Sequence, residues 1–165
     1  DGSGMSAIHA WYARISELRG TYNLLVTVHP WMSNAYRAAL ENNADIIFIH
    51  DYEILRYIML ADVCIGDTNS LIAEFCILDK PIITFRVPST ARTMPDVIAL
   101  IEKVSIRIDT FDELPAAAEK ALAKPQALAQ QRKEVGETLV GSPDGKAGVR
   151  AAEHIMNLVP ELRPG

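Results

Sequence analysis

Apolar positions along the chain fall into two alternating patterns. Short β-type runs occupy residues 24–28, 46–49, 63–65, 82–85 and 104–108, and segments of helical periodicity lie between them. Ile8, Trp11, Tyr12, Ile15 and Leu18 recur at helical spacing until Gly20 stops that helix. Further helices are expected over 32–42, 52–60, 71–78 and 97–103. From Thr110 the chain reads as Ala-, Lys- and Glu-rich helix, broken at Pro125 and between Gly141 and Gly145, with a last helix over 146–158. The β-type runs are nearly continuous apolar stretches, as strands are when helices cover both faces of a parallel sheet. Their repetition about every 20 residues implies right-handed crossovers. The expected fold is α/β: a single domain over 1–165, with one doubly wound parallel sheet of about five strands, helices on both faces, and the helices after about residue 110 packed on the sheet.

Composition narrows the function classes. With 165 residues, 49% hydrophobic and 22% charged, the chain has material for a core. A formal net charge of −5 argues against a general nucleic-acid binder, which needs a basic face to displace counterions. No apolar run approaches the roughly 20 residues of a membrane span. Cys64 and Cys76 sit in apolar segments and match no zinc-ligand spacing, so a reducing compartment is expected, with no metal and no cofactor. The opening Asp1-Gly2-Ser3-Gly4, without an initiator Met, reads as a piece of a longer chain.

In doubly wound sheets, ligands bind outside the carboxyl ends of the strands, which directs attention to the residues after each run. Gly66-Asp67-Thr68-Asn69-Ser70 enters a helix and is either an ordinary capped start, with Asp67, Asn69 or Ser70 as cap, or an anion site at exposed amides. His29 follows a strand and precedes Pro30; it either caps local backbone or donates to a phosphate oxygen. His50 is a weaker candidate, and Asp51 beside it reads as the cap of the next helix. Glu74, four residues after Ser70 on the same helix face, is either a solvated charge or an acceptor for ribose hydroxyls. Arg86 and Arg92 flank a loop with Pro88, Ser89 and Thr90, and either steady phosphate or lie on the surface. No Ser–His–acid or Cys–His set, P-loop or Gly-x-Gly-x-x-Gly can be assembled.

The order of these segments carries a resemblance. Val28-His29-Pro30, Asp51 opening a helix, Ala61 to Ser70, Leu78-Asp79-Lys80-Pro81-Ile82-Ile83, and Asp144-Gly145-Lys146-Ala147 with Arg150 together resemble the C-terminal half of a GT-B enzyme. Within that Rossmann-like fold the chain is similar, over roughly 5–158, to the CDP-glycerol glycerophosphotransferase family of teichoic-acid synthesis, and secondarily to UDP-N-acetylglucosamine 2-epimerases. Thr68-Asn69 departs from the paired Tyr-Ser or Ser-Gly of those families, and 90–95 echoes the epimerase loop only loosely. The resemblance implies that His29 contacts the donor pyrophosphate and Asn69 and Ser70 hold phosphate, in a loop with Asp67 and Thr68. It places Glu74 at the nucleotide ribose; Arg86 stays a substrate-binding candidate from its position after the fourth run. The implied partners are a CDP- or UDP-activated donor and an N-terminal half of the same chain that carries the general base. The implied location is cytoplasmic, with the parent at the inner face of the membrane. An epimerase half and a non-catalytic nucleotide-binding module remain as alternatives.

Overall fold

The computed structural model describes residues 6–50, 53–88 and 94–159. Its helices are α1 (Ile8–Trp11), α2 (Asn34–Glu41), α3 (Leu55–Leu60), α4 (Leu71–Ile77), α5 (Pro95–Val104), α6 (Leu114–Ala123), α7 (Ala129–Val140) and α8 (Ala147–Leu158). The strands are β1 (Leu25–Val26), β2 (Ile47–Phe48), β3 (Cys64–Gly66), β4 (Ile82–Phe85) and β5 (Ile106–Ile108). All pairings are parallel, as continuous apolar runs predict.

The expected single sheet is instead two. β1 pairs with β2, and β3, β4 and β5 form a second sheet in that order. β1 and β2 contribute two residues each, and bonds from Ile47 N to Leu24 O and Ile49 N to Val26 O complete their short ladder. No described backbone ladder joins this pair to the larger sheet. Side chains do the joining: Leu24 and Val26 share one core cluster with Ile83, Phe85 and Ile108.

β4 shows why the arrangement is doubly wound. All four of its residues are buried, and they divide between two cores. Ile83 and Phe85 join the cluster of Ile8, Leu18, Leu40 and the α6 residues Leu114, Ala117, Ala118 and Ala121. Ile82 joins Cys64 and residues of α3, α4, α5 and α7, including Ile58, Phe75, Ile101 and Val135. Fully burying each such aliphatic or aromatic side chain contributes about 1.5–3 kcal/mol. Thr84 is the polar exception within the strand, and its hydrogen bonds run in one direction. Ser105 donates to the Ile101 carbonyl at 2.7 Å, so the 2.6 Å contact between the two hydroxyls requires Thr84 to donate to Ser105. Arg107 Nη1 then donates to Thr84 Oγ1 at 2.9 Å.

Two helical expectations change. The first helix is split into α1 and a 3₁₀ turn over Ile15–Leu18, with Arg14 between them at φ −111° and drawn to Glu17 and Asp112. At the far end α6 packs against β4 and β5 and α7 against α4 and α5, whereas α8 contains no buried residue and leaves Val149, Ile155 and Leu158 exposed. Its start is held locally: Arg150 grips Asp144, which also accepts from Lys146 N, and this keeps the Asp144 carboxyl below its ordinary pKa.

The connection from α4 to β4 is closed by backbone and side-chain bonds together. Lys80 N donates to Phe75 O and Asp79 N to Cys76 O, a Schellman closure that puts Asp79 in left-handed geometry at φ +51°. The Asp79 carboxylate accepts from Arg132 at 2.8 Å, and Arg132 is only 2% exposed. Arg132 also donates to Pro125 O at 2.7 Å, which fixes the turn from α6 to α7. Gly136 on α7 lets that helix approach α4, since a Cβ there would lie 3.1 Å from Ile77 Cδ1. Asp79→Ala leaves a buried guanidinium without its anion and is expected to cost about 3 kcal/mol in urea unfolding. Asp79→Gly removes the left-handed strain and should recover about 1 kcal/mol of that loss. Wild-type stability in both variants would show that the ion pair contributes nothing.

Candidate functional site

All five strands are parallel within their sheets, so the loops after β1, β3 and β4 leave from carboxyl ends, where the candidate residues were expected. The structure treats those residues differently, and the difference lies in which side chains are already occupied.

His29 is exposed, and its Nδ1 accepts a bond from the Trp31 amide at 3.1 Å. An amide can only donate, so Nδ1 is the unprotonated nitrogen and the neutral ring carries its proton on Nε2. The imidazole thus caps local backbone with one nitrogen and keeps the other as a donor. Arg37 braces the turn from behind by donating to His29 O at 3.2 Å. Trp31, 73% exposed, stands edge-on to the imidazole.

Asp67 is spent. One carboxylate oxygen accepts from Ser6 Oγ at 2.8 Å and Ala7 N at 3.0 Å, and the other from Thr68 N at 2.6 Å. The acid ties the start of α1 to the β3–α4 loop and has little capacity left for a ligand. Asn69 lies over Gly66: a Cβ at that glycine would sit 2.6 Å from Asn69 Nδ2. Thr68, Asn69 and Ser70 are exposed. Ser70 occupies the N-cap position of α4 at helical angles, and its side chain makes no capping bond. Its hydroxyl is therefore uncommitted beside the first turn of α4.

Glu74 is half-buried one turn into α4, and its Oε2 is buried with no hydrogen-bond partner. It lines a cavity of about 380 Å³ with Glu53, Ile54, Leu55, Arg56 and Ile58. The α3 side of that cavity was not anticipated, although Glu53 and Arg56 stand at the start of a helix after a strand end, the same positional signal that selected Ser70. Lys80 holds α3 in place. Its ammonium donates to Ile58 O, Met59 O and Ala61 O at 3.0, 2.6 and 2.6 Å, which satisfies the last carbonyls of that helix.

Arg86 is brought to the surface instead, where it pairs with Asp109 at 2.9 Å. His50 stands 3.7 Å from Glu41. Asp51, Tyr52 and the 89–93 loop with Arg92 lie outside the described residues. Cys64 and Cys76 are buried free thiols. Burial pushes the Cys64 thiol up to about 12 and the Cys76 thiol up to about 11.

The two-sided α/β sandwich, with its candidate groups after parallel strands, defines a Rossmann-like domain. The chain belongs to the CDP-glycerol:poly(glycerophosphate) glycerophosphotransferase family, whose model matches residues 5–157. It is also similar to the teichoic acid glycerol-phosphate primase of Bacillus subtilis (strain 168), with 36% identity over 78 residues, 43% of this chain and 18% of the relative. The chain thus spans less than a fifth of the length of that curated relative. No solved structure matches it.

Two outcomes follow from this geometry. Ser70→Ala should leave thermal stability unchanged, because no capping bond is lost; a drop of about 1 kcal/mol, the usual cost of removing an N-cap, would show that the hydroxyl does cap α4 in solution. At pH 8 both thiols should resist a disulfide reagent until urea unfolds the chain, since raised pKa values leave them protonated. Rapid labelling of the folded chain would contradict that burial.

Proposed function

We propose that this chain is the donor-nucleotide half of a transferase that moves glycerol phosphate from CDP-glycerol to a hydroxyl acceptor in cell-envelope polymer synthesis. The family match over 5–157 carries this reading. The name of the Bacillus relative supports glycerol phosphate as the transferred group. Glu74 supplies the geometric support: a carboxylate oxygen without a partner, beside a cavity one turn below the uncommitted Ser70 hydroxyl.

In this reading the acceptor oxygen attacks the β-phosphorus of CDP-glycerol. The bond from that phosphorus to the bridging oxygen breaks, CMP leaves, and the acceptor proton passes to a base. This chain binds and steadies the donor. His29 donates from Nε2 to the pyrophosphate, Asn69 and Ser70 hold phosphate oxygens, and Glu74 accepts from the ribose hydroxyls. Such preorganised donors stabilise charge developing on the leaving phosphate. The base and the acceptor site belong to the preceding half of a longer chain, consistent with the small fraction of the relative that is covered. Among the described residues no helix is long and apolar enough to cross a membrane. The reading places the parent in the cytoplasm, peripheral at the inner face of the membrane.

Titration of the 165-residue chain with CDP, UDP and CDP-glycerol, followed by amide chemical shifts, tests this. CDP and CDP-glycerol should perturb residues 66–74 and His29, more strongly than UDP does. Glu74→Gln, which keeps an acceptor but removes the charge, should weaken binding by about 1.5–3 kcal/mol. No shift at millimolar CDP or CDP-glycerol would sink the donor reading.

A further inference from the structure

The opposite pole of the sheet holds a second cavity, of about 410 Å³, against the amino-terminal ends of β4 and β5 and the turn from α6 to α7. Four cationic residues line it, Arg107, Lys120, Lys124 and Arg132, and no acidic residue does. That segregation runs against the chain's net charge of −5. Arg132 is answered by Asp79 and Pro125 O. The other three make no direct ion pair among the described residues, and Glu102 and Asp109 act on Arg107 only through their charge, without a salt bridge to it.

Arg107 is the most informative of them. Its Nη1 is held on Thr84 Oγ1 at 2.9 Å by the one-directional chain through Ser105 to the Ile101 carbonyl, so the guanidinium is fixed in place. Its Nε is buried and has no hydrogen-bond partner. Desolvation by burial, and after it the charge of Arg86, hold its pKa below the ordinary arginine value; the charges of Glu102 and Asp109 oppose this only in part, and an anion in the cavity would complete the compensation. Lys120 in the last turn of α6 and Lys124 at its C-cap both line the cavity, where like charges repel unless an anion lies between them. The α6 dipole favours cations in its last turn but leaves the orphaned Arg107 Nε without explanation. An oriented guanidinium with two mobile ammonium groups suits a compact oxyanion able to accept several bonds at once.

We propose that this cavity binds a phosphate group, either inorganic or carried on a small ester, at a site separate from the one around Ser70 and Glu74. The chain is titrated with sodium phosphate and with glycerol 3-phosphate, against sodium chloride at matched ionic strength, and amide shifts are followed. The expected result is saturable shifts at Ser105, Arg107 and residues 120–127, with a Kd of about 1–10 mM. A tighter Kd for glycerol 3-phosphate identifies an ester as the ligand, and equal values identify free phosphate. Lys120→Ala with Lys124→Ala, both at exposed positions, should weaken this binding about tenfold. It should leave CDP-induced shifts at 66–74 unchanged, so failure here is distinguishable from failure of the donor reading. Shifts equal to those in chloride, no saturation by about 50 mM, or an unaltered Kd in the double variant would each overturn the proposal.

Discussion

Three consecutive residues between α4 and β4 set the geometry on which the rest of the domain depends. Asp79 accepts left-handed backbone so that α4 can close, and its carboxylate neutralises Arg132 inside α7. Lys80 uses all three ammonium protons on the end of α3. Pro81 offers its carbonyl to Cys64 N at 2.9 Å, which aligns β3 with β4. Helices α3, α4 and α7 and two strands therefore take their relative positions from one short turn. A buried ion pair contributes little net stability over a well-packed apolar pair, yet breaking one is costly. Its value here is in position, since Arg132 also fixes the α6–α7 turn through Pro125.

That turn reaches the candidate site indirectly. Glu74 and the start of α3 form opposite sides of one cavity, and Lys80 holds α3 against the strand that follows α4. The Leu-Asp-Lys-Pro segment bonds to Glu74 only through its backbone carbonyl, from Leu78 N at 3.0 Å, and to the end of α3 through Lys80.

The fold was legible because apolar runs report burial directly. Residues 82–85 read as a strand covered on both faces, and each of those positions is buried, alternating between two cores. The division into two sheets was not legible. It depends on whether β1 meets the larger sheet through amides or through side chains, and both arrangements bury Leu24 and Val26 equally well. The exposed α8 was missed for a related reason: Val149, Ala152, Ile155 and Val159 have the periodicity of a packed helix, and periodicity shows a sticky face without showing what covers it. Among candidate site residues, Glu74 was found by its spacing from Ser70, while Arg107 and Lys80 were passed over. Their importance comes from partners distant in sequence, Thr84 and the α3 carbonyls, which local pattern does not reveal.

Position at a strand end selected more residues than a ligand can use, and hydrogen-bonding capacity separates them. Asp67 has both oxygens occupied by Ser6, Ala7 and Thr68, so a ligand there would have to break the link that seats α1. Asp144 and Arg150 satisfy each other, and Arg86 is held by Asp109 on the surface. What remains uncommitted among the described candidates includes the Nε2 proton of His29, the Thr68, Asn69 and Ser70 side chains, and the Glu74 Oε2: groups able to donate to an anion and an acceptor for a hydroxyl. A nucleoside diphosphate needs that division, with donors for its phosphates and an acceptor for its ribose. Exposed groups such as His29 and Ser70 are satisfied by water, whereas the buried Glu74 Oε2 carries a free-energy cost that a ligand can remove. Among the strand-end candidates, the buried Glu74 Oε2 is therefore the group whose environment asks most for a partner.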